Sequence, residues 1–182
     1  MSNAVILMQS RSGSSMVAGI FAAHGFWYGE SYDKAGYPTF ENVDVKDAIK
    51  ANKDKITRGE FCQPFDPCFY PEYEPWFWKG PVEVYPCFEN FGAQTILVRR
   101  NARANVDALM ARHPGGDRDY ARSLYVKRHN LMDEVGGIDV YSDEIIAGDY
   151  TSIKLALNAC DVEFNPELAK SVIRPDMWHH SA

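Results

Sequence analysis

Hydrophobic and polar positions along this chain fall into blocks whose period changes from one to the next. Residues 5–8, "VILM", are a short apolar run between polar neighbours, the pattern of a buried strand. After a polar stretch, residues 16–24 are rich in Ala, Met, Ile and Phe and stop at Gly25, which predicts a helix ended by glycine. Residues 43–55 carry helical spacing through Val45, Ala48 and Ile49, with charges between them. "AQTILVRR" predicts a second buried strand at 95–98 that runs into charge. Asn101 suits the cap of a helix reaching about residue 113, where Pro114, Gly115 and Gly116 interrupt the chain. Residues 117–135 read as another helix closed by Gly136 and Gly137, "IDVYS" as a third strand, 151–160 as a further helix, and "FNPELAKSVI" as a terminal one. Strands alternating with helices predict an α/β domain with a largely parallel sheet.

Residues 61–91 break this rhythm. The stretch is dense in aromatics and prolines, and proline excludes long regular helices there. Its rings suit core or lid packing, and equally an acceptor pocket for a ring-bearing compound.

Composition narrows the picture. At 182 residues with 46% hydrophobic and 24% charged residues, the chain reads as one globular domain. A net charge of −6 argues against a general nucleic-acid binder, although an anionic small ligand needs only a few local cations. The four cysteines, Cys62, Cys68, Cys87 and Cys160, show no CxxC pair and no metal-ligand spacing, so free thiols in a reducing cytoplasm and no metal site are expected. No apolar stretch approaches the roughly 20 residues that span a bilayer, and the N-terminus lacks the pattern of a signal peptide. The adjacent His179 and His180 lack the spacing of a zinc site.

The chemistry concentrates in Gln9-Ser10-Arg11-Ser12-Gly13-Ser14-Ser15, between the first strand and the first helix. Amides at a helix start have no intrahelical acceptors, and the helix dipole favours negative charge beside them. Gly13 lets the backbone turn close to a ligand, the serines add hydroxyl donors, and Arg11 supplies a permanent planar cation. Such a turn is a ready anion site, although serine and glycine also suit plain helix caps. An ATP-type loop reads GxxxxGK[ST]; aligned on Gly13, its first glycine falls on Met8 and its lysine on Ser14, so an ordinary kinase or ATPase is disfavoured.

At this point the chain resembles the sulfotransferases that use 3′-phosphoadenosine 5′-phosphosulfate (PAPS). "SRSGSS" is similar to the family's 5′-phosphosulfate loop, PKSGTT or PRSGTS, with Arg11 in the basic position and Ser12, Gly13, Ser14 and Ser15 in register. "GYPTFEN" resembles the "GyfE" stretch of many bacterial members. "FWKGP", before an apolar strand, resembles "vvKdPr" with Lys79 and Pro81 in matching places. "TILVRRNARANVDAL" resembles the 3′-phosphate segment with Arg100 in the arginine position, and "IDVYSDEIIAGDYTSIKLALNACDVEFNPEL" resembles the C-terminal "vryEdL" pattern. The resemblance implies a P-loop NTPase-like three-layer fold and transfer of a sulfuryl group from PAPS, as co-substrate, to a hydroxyl or amine of a small-molecule or glycan acceptor. It places Arg11 through Ser15 at the 5′ end, Arg100 at the 3′-phosphate and Lys79 at the reacting group. A P-loop kinase-like enzyme and a catalytically inactive nucleotide-binding module of the same fold are the alternatives.

The chain departs from the family in places. The serine expected eight residues after the arginine is Ala108, and the proline of that segment is Ala102. The basic C-terminal closing segment has no clear counterpart. Pro81 stands where many members carry the base histidine of "KTHLP", leaving His24, Glu30 and Glu41 as candidate bases. Arg11→Ala and Arg100→Ala are each expected to weaken binding of 3′-phosphoadenosine 5′-phosphate, measured by calorimetry; unchanged affinity in both would reject the site.

Overall fold

The computed structural model describes residues 1–34, 37–62 and 74–174. Strand β1 (Ala4–Met8) feeds the Gln9–Gly13 turn and helix α1 (Ser14–Ala23). A hairpin of β2 (Ser31–Lys34) and β3 (Tyr37–Asn42) follows, then helices α2 (Val43–Ala51) and α3 (Lys53–Arg58). Strand β4 (Phe77–Pro81) leads into two short 3₁₀ helices, Val82–Cys87 and Glu89–Phe91. The remainder alternates β5 (Gln94–Arg99), α4 (Ala102–Arg112), α5 (Arg118–Val135), β6 (Ile138–Tyr141), α6 (Ser142–Ile146), α7 (Thr151–Ala159) and α8 (Pro166–Val172).

The central sheet has the order β4-β1-β5-β6, with every pair parallel. A parallel sheet is normally covered on both faces, and β1 shows why its sequence is a continuous apolar run. Ala4 and Ile6 pack with Phe21, Ile153 and Leu157 on one face, while Val5 and Leu7 pack with Trp78, Val84 and Met132 on the other. Helices therefore flank both faces, and the expected α/β architecture is present. Among the described residues no helix is long and apolar enough to cross a membrane.

Local capping follows the sequence closely. Asn101 accepts from the amides of Arg103 and Ala104, Asp117 from those of Asp119 and Tyr120, and Asn165 from those of Glu167 and Leu168. Each cap satisfies amides that the first helical turn leaves without partners.

The aromatic block departs from expectation. "FWKGP" does not precede a strand; it is the strand, and the "VEV" after it winds into a 3₁₀ helix containing Pro86. Proline at the end of β4 is tolerated because β4 is an edge strand of this sheet, with β1 its partner strand and Trp27 bridging only its first residues on the other side. Trp76, Phe77, Trp78, Val82, Val84 and Phe88 are all buried, so this part of the block is core. Its residues 63–73, including Cys68, lie outside the described residues, as do Gly36, His179 and His180. The β2–β3 hairpin has no counterpart in the sequence reading, and the helical spacing at 43–55 divides into α2 and α3 around Asn52.

Beneath the sheet's second face lies a buried ion pair. Arg128 Nε of α5 donates to Glu83 Oε1 at 2.5 Å, and Glu83 is fully buried. Burial pushes the Glu83 carboxyl up, and Arg128 opposes that rise. Arg128 also reaches the Ser10 hydroxyl at 3.4 Å and the Ile56 carbonyl at 3.3 Å, tying α5 to the turn after β1 and to α3. Breaking such a pair strands a buried charge, so Arg128→Ala is expected to cost about 3–5 kcal/mol in chemical denaturation. The paired Arg128→Met, Glu83→Met variant should recover most of that loss.

Candidate functional site

The carboxyl ends of three strands meet at one edge of the sheet. Met8 is in register with Pro81 of β4 and Val98 of β5, so the turn after β1 and Arg100 just past β5 are neighbours, and Lys79 in the middle of β4 reaches Ser15 with its long side chain. The chain passes from β1 to β4 on one side and later to β5 on the other, and a crevice opens at such a reversal.

The turn itself is bent by two residues with left-handed backbone. Gly13 has φ 83°, which glycine adopts freely, while Arg11 has φ 66°, which is uncommon for a residue with a Cβ. The Arg11 conformation is braced from outside: Arg100 Nη1 donates to the Arg11 carbonyl at 3.1 Å, and Asn105 Nδ2 to the Ser10 carbonyl at 3.0 Å. No side chain caps the start of α1, so its first amides face the turn as donors. Ser12 is buried, and among the described residues neither its hydroxyl nor the buried Nε of Arg11 has a hydrogen-bond partner. Buried polar atoms are normally satisfied, so two such atoms beside an uncapped helix start make this turn a candidate anion site.

Lys79 arrives from β4, between Phe77 and Pro81. Its Nζ donates to the Ser15 hydroxyl at 3.0 Å and to the Thr39 carbonyl of β3, with Glu41 Oε1 at 3.7 Å. The following Gly80 permits this packing, since a Cβ there would lie 2.9 Å from Val84 Cγ2 and 3.0 Å from Val45 Cγ1. Lys79 is 1% exposed, and burial pulls its ammonium down to about 8, against the pull of Glu41.

Burial also lowers the Arg11 guanidinium, with the like charge of Arg112 adding to the effect. For Arg100, burial lowers it, Asp143 at 3.5 Å opposes, and Arg11 lowers it further. Three cations whose charged forms are all disfavoured thus converge on one uncapped helix start. Burial is the first cause in each case, and an anion beside the three would favour their charged forms, which makes the cluster a candidate anion site.

The structure brings together Arg11, Ser12, Gly13, Ser15, Lys79 and Arg100 from separate parts of the chain. Ser14 points elsewhere: its hydroxyl bonds Met8 Sδ at 2.9 Å. Ala108 is buried on α4, whereas Arg103 is exposed and pairs with Asp107 at 3.8 Å along the same helix. Arg99 faces acidic neighbours, Asp139 at 2.5 Å and Asp133 at 2.7 Å.

Among the candidate bases, His24 stands at the far end of α1, about 15 Å from the turn given ten helical residues. There it is held structurally: the Asn165 amide donates to Nε2 at 3.0 Å, which makes Nδ1 the donor to the Ile20 carbonyl at 2.7 Å. Glu30 is exposed ahead of the hairpin. Glu41, 27% exposed at its side chain, stands beside Lys79.

Sequence reasoning did not find Asn105, Arg128 or Asp143 as supports of this site. Their partners lie far away along the chain, and no local spacing signals such contacts. No known family model matches this chain, and no curated protein sequence matches it.

The lowered lysine has a definite linkage sign. Between about 8 and the ordinary 10.5, the unfolded chain holds the Lys79 proton and the folded chain does not, so this residue's contribution to stability rises with pH across that window. Below it the full burial cost of the ammonium is present. Denaturation midpoints measured from pH 7 to 10.5 should show this rise against a Lys79→Met variant that lacks it.

Proposed function

We propose that this chain is a sulfotransferase-like protein of P-loop-like fold that takes a sulfuryl group from PAPS to an acceptor hydroxyl or amine. The observation that carries the reading is the meeting of Arg11, Lys79 through Ser15, and Arg100 through the Arg11 carbonyl at the uncapped start of α1. These are the positions that the sequence resemblance assigned to the two ends of the nucleotide and to the reacting group. An interior β1 that feeds the turn also fits a P-loop-like sheet.

The donor substrate needs no γ-phosphate site. As the sulfuryl group leaves, the S–O bond to the 5′-phosphate breaks and negative charge grows on the bridging oxygen. Fixed amides, Arg11 and Lys79 stabilise that charge without reorganising. The new bond joins sulfur to the acceptor oxygen or nitrogen, whose proton passes to Glu41, a carboxylate in solvent contact beside Lys79. Glu41 thereby takes the role that Pro81 cannot. Arg100, buried and bonded to the turn, positions the nucleotide rather than reacting.

Calorimetric titration tests the reading. Micromolar binding of 3′-phosphoadenosine 5′-phosphate with weak binding of ATP and Mg²⁺ is expected; the opposite preference, or no binding of either, overturns it. Glu41→Gln should keep nucleotide affinity and lower sulfation by about 10²–10⁴-fold, the range of a lost general base.

A further inference from the structure

Among the partners of the Arg100 guanidinium are two that differ in kind. Nη1 serves the Arg11 carbonyl, part of the turn itself. Nε faces Asp143 Oδ1 at 3.5 Å, while Asp143 Oδ2 accepts the Asn101 amide at 2.7 Å. Asp143 lies in α6, a separate element that reaches the site only because β6 is laid beside β5. The two side chains are unequally placed: Arg100 is 4% exposed and Asp143 39%. The arginine is immobilised in the wall, and the carboxylate stands at the solvent side.

We infer that Asp143 is a built-in competitor for the ligand's anion, which lowers the affinity of the Arg100 end and makes it selective for a dianionic phosphate; this rests on the nucleotide reading above. A carboxylate beside Arg100 does two things. It lowers the cost of burying the guanidinium when no anion is bound, as its opposing pull on Arg100 indicates. It also repels any anion that approaches the same fork, so a singly charged group gains little by replacing it. A phosphate monoester carries more charge and more acceptor oxygens than the carboxylate, and an ion pair with one partner in solvent contact is weak enough to yield to it. Asp143 is a specificity-determining residue in this account and touches no reacting atom.

The test compares native protein with Asp143→Asn, which removes the charge but keeps an oxygen to accept the Asn101 amide. Each is titrated with 3′-phosphoadenosine 5′-phosphate and with adenosine 5′-phosphate, which lacks the 3′ group. The expected result is about tenfold tighter binding of the bisphosphate by the variant, with adenosine 5′-phosphate unchanged and the gain shrinking at high salt, as screening of a charge–charge effect requires. A merely structural aspartate would alter both nucleotides alike. Equal bisphosphate affinity in the two proteins, or weaker binding by the variant, overturns the role of Asp143 and leaves the nucleotide reading standing. Binding of neither nucleotide by either protein overturns both. Should Asp143→Asn fail to fold, Asp143→Ser, a shorter neutral acceptor, carries the same comparison.

Discussion

The bond from Arg100 to the Arg11 carbonyl joins the end of β5 to the turn after β1, and the candidate site depends on it. A positive φ at Arg11 is held only where surroundings impose it. Arg100 from β5 and Asn105 from α4 supply that constraint by occupying successive carbonyls, those of Arg11 and Ser10. The sheet register makes the bond reachable, because Met8 and Val98 are side by side.

Electrostatics gives the same site its character. Lys79, Arg100 and Arg128 are each buried, and each has one carboxylate from another element: Glu41, Asp143 and Glu83. The three pairs differ in purpose. Arg128 and Glu83 are both enclosed and hold α5 under the turn. Glu41 and Asp143 retain solvent contact at their side chains, whereas Lys79 and Arg100 are almost fully enclosed. Arg11 adds a fourth positive charge, and its Nε has no hydrogen-bond partner among the described residues.

The block periodicity was sufficient for β1, β5, β6 and α1, because buried parallel strands and amphipathic or apolar helices carry their signals within a few residues. The cap at Asn101 was readable for the same reason. Strand β4 was not, since its aromatics, glycine and Pro81 resemble an irregular segment; its position at the sheet edge is what permits them. The β2–β3 hairpin was missed because polar and aromatic residues there give no clear alternation. Within the site, the turn and Lys79 were legible as a motif pattern, but His24 and Glu41 could not be separated as bases without the length of α1 and the packing of β3 over β4.

Sequence by itself determined strands β1, β5 and β6, helices α1, α4, α5, α7 and α8, the largely parallel α/β class and the strand–turn–helix that begins the chain. These depend on residue type and near-neighbour spacing, which hydrogen-bond geometry and burial translate directly into local structure. Only the tertiary structure decided which charges meet. The pairings of Arg100 with Asp143, Lys79 with Glu41 and Arg128 with Glu83 form between elements that are distant in the chain. The depression of Lys79 arises from burial beneath the hairpin and α1 rather than from its neighbours in sequence. Desolvation and Coulomb interaction act through space, so their outcome is set by how the sheet and helices close around the turn.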